Sequence, residues 1–244
     1  MIADSHCHLG YDPVFDEDFT RADLLESQER NSISLSLVQP AVVHDLETVR
    51  RYHDDIADFC SLNPGRFKGI ANPNPHLPGD GYEAEIRRCV KELGFVGIKL
   101  HPFGHAVNPL GADGRQVFEI ASGLDVPVLV HTGVGIPWSS PALMEEAAEK
   151  YPGLRIVLCH AGGLFSAEAG SLARKYPNIF LELSWQSDFV IQGWTKDPGA
   201  DRLMFGSDHA SNAALEIVKI RSLKLKKSDE ETILSGTCLK VFGL

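Results

Sequence analysis

The sequence predicts an α/β fold: a single distorted (β/α)8 TIM-type barrel with an extra C-terminal helix, spanning residues 1–244. Three observations carry this expectation. Short β-branched or apolar runs alternate with amphipathic stretches of ten to twenty residues through the whole chain, the pattern of repeated βα units. Eight such runs fit into 244 residues, and a barrel built from units of about 30 residues takes about 250. The rival architecture, an open doubly wound sheet, places GxGxxG after its first strand, and that fingerprint is absent. Gly133-Val-Gly135 and Gly162-Gly163 are too short to supply it.

In chain order the strand-like runs are 1–8, 33–39, 67–72, 95–101, 126–132, 154–160, 179–184 and 202–207. Helices between them are clearest at 46–62, 82–93, 141–150 and 167–176, where apolar residues recur three and four apart. Pro64, Gly94, Pro152 and Pro177 stand where those helices should stop. Residues 186–198 carry the weakest helical pattern. A helix follows near 211–223, and Ser228-Asp-Glu-Glu231 reads as a capping box opening a final helix. The lysine-rich run 224–227 before it reads as a solvated helix end.

Composition narrows the function classes. With 43% hydrophobic and 23% charged residues the chain can fill one core, which excludes a disordered or collagen-like polymer. A formal charge of -10 repels a phosphate backbone, so nucleic acid is not expected as a partner. No apolar run reaches the roughly 18 residues of a membrane span, and the chain is read as cytoplasmic. Five cysteines without a CxxC pair read as reduced, buried thiols. Cys7 and Cys159 adjoin histidines on their strands, and alternation predicts that their thiols point away from those imidazoles and pack.

The chemistry of such a barrel stands at the carboxyl ends of its strands. Here these ends read His6-Cys-His8, Lys99-Leu-His101, His131, His160 and Asp208. Any one of these histidines, alone, would be an ordinary hydrogen-bonded loop or core residue, and Lys99 alone a barrel-end salt bridge. Together, several imidazoles and a carboxylate converging on one end are hard to satisfy without a cation. Imidazole and carboxylate suit Zn2+ first, with Mn2+ or Fe2+ as alternatives. Such an ion lowers the pKa of bound water to about 7 and polarises a carbonyl. The loops 103–111 and 133–140 are expected at the pocket rim, and Trp138 and Trp185, just after strands five and seven, as walls of the substrate site.

Six segments add a family resemblance: ADSHCHLG at 3–10, GFVGIKLHP at 94–102, PVLVHTG at 127–133, LCHAGG at 158–163, NIFLELS at 178–184 and FGSDH at 205–209. In this order they resemble the amidohydrolase superfamily, specifically its amidohydrolase-2 branch of metal-dependent hydrolases and aminocarboxymuconate semialdehyde decarboxylase-like enzymes. The resemblance implies that His6 and His8 hold a metal with Asp208, which also accepts the proton of an attacking water. It implies His131 as a further ligand, and His160 either in a second metal site or orienting water and substrate. Lys99 is carboxylated and bridges two metals in some branches; as a free ammonium it would contact an anionic substrate group, and a single metal is favoured. His101 is expected to contact substrate.

The resulting expectation is a metal-dependent hydrolase in which activated water attacks an amide, ester or lactone carbonyl of a small molecule. The alternative is a metal-dependent, non-oxidative decarboxylase of an unsaturated or aromatic carboxylic acid. Further off stand a phosphoesterase, disfavoured by Lys99 where such enzymes carry an acid, and a binding barrel without turnover, disfavoured by the complete ligand set. A homo-oligomer is compatible with the sequence.

Overall fold

A computed structural model of the chain describes residues 1–133 and 135–244. Its sheet is the predicted one with an addition. Strands β1 (Ala3–Asp12), β3 (Leu35–Pro40), β4 (Phe67–Ala71), β5 (Gly97–Leu100), β6 (Val128–His131), β7 (Ile156–Cys159), β8 (Ile179–Glu182) and β9 (Leu203–Met204) pair parallel in sequence order. The addition, β2 (Glu17–Phe19), folds back antiparallel on the long first strand, pairing Phe19 with Gly10 and Glu17 with Asp12.

The seam between first and last strands is closed by few bonds. Ser5 N–H donates to the Phe205 carbonyl at 3.1 Å, and Asp208 N–H to the His6 carbonyl at 2.8 Å. The predicted eighth strand, 202–207, is therefore shorter as a ladder: only Leu203–Met204 pairs with β8. The residues beyond turn to bond β1 instead.

That seam also sets which way the N-terminal histidines face. The β1–β3 register shifts between Asp4 and Cys7. Ala3 packs with the inward-facing floor, whereas Cys7 and Leu9 pack outward, so the bulge exchanges the two parities and His6 and His8 face inward. The Asp4 carboxylate accepts from the backbone N–H of both His6 (3.2 Å) and Ser207 (2.9 Å), tying bulge to seam.

Helices α2 (Leu46–Leu62) and α3 (Gly81–Lys91) match their predicted spans closely, as does α6 (Ser166–Lys175). The span 141–150 is split into a 3-10 turn, Pro141–Met144, and α5 (Glu145–Lys150). Two helices without a predicted range are α1 (Arg21–Asn31) and α4 (Ala112–Leu124). In α1 the buried face is mostly polar: Leu24 is joined by Ser27 and Gln28, and the Gln28 amide donates to Ser36 Oγ and the Arg66 carbonyl, both at 2.9 Å. Apolar periodicity cannot report such a face.

The weak stretch 186–198 is α7 (Asp188–Trp194) running into a π-helical turn, Thr195–Gly199, which breaks at Asp197. Helix α8 (Ala213–Ser222) follows. The capping-box reading is corrected. The final helix, Lys227–Glu231 continuing through Thr232–Gly236 to Thr237–Phe242, is capped two residues earlier, at Lys226, with no side-chain cap. Ser228 lies inside its first turn and its hydroxyl donates to Asp229 at 3.4 Å.

This last helix closes the bottom of the barrel. Cys238, Val241 and Phe242 pack against the inward-facing Ala3, Leu35, Leu37, Ile70, Leu129, Val157 and Met204. Above this apolar floor the inward positions turn polar: Gln39, Lys99, His131 and Glu182 follow Leu37, Gly97, Leu129 and Phe180 two residues on. No helix among the described residues is long and apolar enough to cross a membrane.

Candidate functional site

At the polar end of the barrel the side chains from five strand ends meet. His6 Nε2 lies 3.2 Å from His8 Nε2, 3.3 Å from Asp208 Oδ1 and 3.0 Å from Lys99 Nζ. His8 Nε2 is in turn 3.2 Å from Asp208 Oδ1. His160 joins from β7: ligand atoms of His6, His160 and Asp208 all lie within 4.8 Å of one another. His131 Nδ1 is 3.2 Å from His160 Nε2, and the His101 ring stacks on His131 with centroids 4.3 Å apart. The predicted set His6, His8, Lys99, His101, His131, His160 and Asp208 is thus brought together on one cavity of about 680 Å3.

Three residues that line the cavity have left-handed backbones without being glycine: His160 (φ 60°), Trp185 (φ 62°) and Asp208 (φ 64°). Each such residue costs of order 1–3 kcal/mol and persists only where its surroundings hold it. The turn at His160 corrects one expectation. Because the chain leaves the strand there, Cys159 does not point away from the histidines; its Sγ sits inside the barrel, 3.3 Å from Lys99 Nζ. Burial pushes that thiol up to about 12. Cys7 does pack outward, with Sγ 3.7 Å from Ser207 Oγ.

Electrostatics leave this cluster in the form that metal ligands need. Burial, then the Lys99 charge beside it, pushes His6 well below its ordinary pKa. Burial, reinforced by His160 and Lys99, does the same to His131, and burial lowers His160 to about 4. Burial opposes ionisation of Asp208, but the imidazoles of His6 and His160 and the hydrogen bond from His8 outweigh it and hold the carboxyl well below the usual range. Neutral imidazoles around a carboxylate are a ready donor set for a divalent cation.

Two predicted walls part company. Trp185 lines the cavity and its indole N–H donates to Asp208 Oδ2 at 2.8 Å. Trp138 is corrected: it sits on the 3-10 turn Pro137–Ser139, which is folded back by Gly133 N–H bonding the Ser139 carbonyl at 2.8 Å, and it does not line the cavity. Thr132 and Gly163 do; Val134, inside the predicted rim loop 133–140, lies outside the described residues.

Sequence reasoning passed over several neighbours of the cluster. Gln39 offers its amide to His8 Nε2 at 3.0 Å, and Glu182 lies 2.9 Å from His6 Nδ1. Both stand at inward positions two residues beyond an apolar one, which is the signal that could have found them. Phe15 and Phe19, in and before the β2 hairpin, line the cavity from a segment with no predicted strand, and Phe19 stacks near His8 with centroids 5.2 Å apart.

The family model for amidohydrolases of the Amidohydro_2 type matches residues 3–244, and the chain belongs to that family. Among its relatives, γ-resorcylate decarboxylase of Rhodococcus jostii is 29% identical over 189 residues, covering 61% of this chain and 57% of that protein. The enzyme of the same name from a Polaromonas species is 30% identical over 203 residues, covering 63% and 61%. The chain therefore spans about three fifths of the curated relatives it matches. A solved dihydroxybenzoic acid decarboxylase from Polaromonas sp. JS666, with bound manganese and the inhibitor 2-nitroresorcinol, superposes with a TM-score of 0.78 at 21% identity, over 100% of this chain and 98% of that one. These relatives overturn the expectation of hydrolysis of an amide, ester or lactone: all three carry the name of a decarboxylase.

Proposed function

We propose that the chain is a metal-dependent decarboxylase that removes CO2, without oxidation, from an aromatic carboxylic acid. The observation that carries this reading is the joining of an aromatic-walled cavity to the histidine–aspartate cluster: Phe15, Phe19, Trp185, Leu164 and Val190 line the same cavity as His6, His8 and Asp208. A flat ring fits such walls, and an acid group on it reaches the cluster. The names of the relatives point to the same substrate class.

The donor set fits one divalent cation. His6 Nε2 and His8 Nε2 stand 3.2 Å apart and both face the same Asp208 oxygen, at 3.3 and 3.2 Å, so two imidazole nitrogens and a carboxylate oxygen converge on one point. His6, His8, His160 and Asp208 would hold the ion, with His131 beside His160. Mn2+ is the first to try because a structural neighbour carries it, in place of the Zn2+ suggested by ligand type. When bound, the ion supplies a Lewis acid for the oxygens of the substrate.

The remaining work falls to the chain. The apolar walls hold the ring and exclude water from it. Lys99, read here as an uncarboxylated ammonium, presents positive charge to an anionic oxygen of the substrate. Asp208 stands at the cavity face, oriented by the Trp185 indole. It relays a proton to the ring carbon that bears the carboxylate; the carbon–carbon bond then breaks, CO2 leaves and the electron pair returns to the ring. One proton is consumed and a carbon–hydrogen bond replaces the carbon–carbon bond. His160, its Nδ1 2.8 Å from Ser184 Oγ, orients the substrate-facing side of the cluster.

The test is product analysis. Protein stripped of metal and reloaded with Mn2+ or Zn2+ is incubated with 2,6-dihydroxybenzoate and related hydroxybenzoates, with CO2 and the phenol quantified. Stoichiometric CO2 and resorcinol, dependent on the added metal, are expected. No CO2 from any member of the panel, with water added to a substrate instead, would sink the reading.

A further inference from the structure

We propose that Glu182 is a positioning residue: one buried carboxylate at the end of β8 that sets the tautomer and orientation of both His6 and His160, acting on His160 through Ser184. The inference rests on the metal-site reading above but not on the identity of the substrate.

Glu182 is 0% exposed. Its Oε2 lies 2.9 Å from His6 Nδ1 and 2.9 Å from Ser184 Oγ, and accepts from the His160 backbone N–H at 3.0 Å. Its Oε1 accepts from the Ser184 backbone N–H at 2.6 Å. Ser184 Oγ is also 2.8 Å from His160 Nδ1.

The donor count fixes the protons. Both Glu182 oxygens accept from N–H and O–H donors, so the carboxyl acts as an acceptor toward His6 as well; His6 then carries its hydrogen on Nδ1, which leaves Nε2 as a lone pair facing His8, Lys99 and Asp208. Ser184 has a single hydroxyl hydrogen and spends it on Glu182. Its oxygen is then an acceptor toward His160, whose hydrogen must likewise sit on Nδ1, and whose Nε2 is bare toward the cavity. One carboxylate thereby prepares two imidazoles from two different strands to act as ligands.

The surroundings leave Glu182 no other place. A Cβ built on Gly206 would stand 2.5 Å from Glu182 Oε1, so the bare backbone just beyond β9 is the wall against which the carboxylate rests. Cys159, His6 and Glu182 also bring ligand atoms within 4.8 Å of one another. That trio is already satisfied without an ion: His6 Nδ1 is bonded to Glu182, and both Glu182 oxygens accept from backbone N–H groups.

The test uses the full-length protein and two readouts that require no turnover. In metal-free protein with 15N-labelled histidine, NMR should show both His6 and His160 as Nδ1–H tautomers. Glu182→Gln keeps the shape but turns one oxygen into a donor; His6 should lose the pure Nδ1–H form, and the Kd for Mn2+, measured by titration calorimetry, should rise roughly 10–100-fold. Ser184→Ala should disturb the tautomer of His160 while leaving that of His6 unchanged, and this arm decides the matter if Glu182→Gln does not fold. An unchanged His6 tautomer with Mn2+ affinity within about twofold of wild type in Glu182→Gln, or an unchanged His160 tautomer in Ser184→Ala, overturns the proposal. Failure of the decarboxylase reading would show separately, as wild-type protein that binds Mn2+ and releases no CO2.

Discussion

At the scale of residues, burial lowers His6, His131 and His160 around one carboxylate, Asp208, that its neighbours hold below the usual range. The Trp185 indole is the one neutral side chain that donates to the outer oxygen of Asp208. Trp185→Phe keeps the ring wall and removes that donor. A hydrogen bond to a charged group contributes about 1.5–3 kcal/mol, less here because the indole is half exposed, so kcat/KM should fall about tenfold. Metal content should stay at the wild-type level, and steady-state kinetics beside metal analysis check both. Unchanged kinetics would reduce Trp185 to a wall. Much of this cluster is legible in the sequence, because His-x-His, Lys-x-His and a terminal Asp each carry ionisable side chains to a strand end where apolar ones are the norm. Cys159 was misjudged for a physical reason: alternation holds only while the backbone is extended, and the left-handed turn at His160 ends it. Trp138 was misjudged because a loop's fold, unlike a strand's pleat, gives no rule for the direction of a side chain.

At the scale of elements, the decisive feature is the bulged β1 strand and its seam with the segment after β9. Asp4 holds both sides, and it is fully buried. Asp4→Ala would leave the N–H groups of His6 and Ser207 buried without acceptors, at about 1–3 kcal/mol each, so denaturant unfolding should show a loss of roughly 2–5 kcal/mol. Asp4→Asn keeps an acceptor oxygen and should lose less than half as much; equal losses for the two variants would contradict the seam's dependence on that acceptor. Strand positions are readable from short apolar runs, but a bulge is not, since it leaves no compositional mark. The β2 hairpin escaped notice because three residues, Glu-Asp-Phe, show no alternation. Helix α1 escaped because Ser27 and Gln28 take the places that apolar residues hold in α2 and α3. A second buried ionic group, by contrast, is structural. His53 donates to Glu85 at 2.7 Å and accepts from the Asn72 N–H at 3.1 Å, linking α2, α3 and the end of β4. Burial alone would raise Glu85, but His53, Arg88 and Arg50 outweigh it and hold it far below the carboxylate range.

At the scale of the molecule, the barrel divides its interior into an apolar floor plugged by the final helix and a polar top that holds the site. The order of strands and helices was legible because every unit repeats the same two periods; where the seam falls was not. Burial also makes stability depend on pH. His53 is lowered and His105 pushed down to about 3, chiefly by burial, so from pH 6.5 downward the unfolded chain binds protons that the fold excludes. Stability from these two groups is complete above pH 6.5 and is lost as pH falls. Asp4 works the other way: burial raises it to about 6, so its contribution grows as pH falls from 6 toward 3.8. Two histidines outweigh one aspartate, and the thermal midpoint should drop roughly 5–10 °C between pH 7 and pH 5. His105→Gln should flatten that slope; circular dichroism melts across the range show whether it does. The central claim, that this barrel exchanges a carboxylate for a proton on an aromatic carbon, is tested most directly by running the Mn2+-loaded protein with 2,6-dihydroxybenzoate in D2O. The account predicts CO2 and resorcinol with deuterium at the carbon that carried the carboxylate. A product that retains the carboxyl group and gains the elements of water would contradict it.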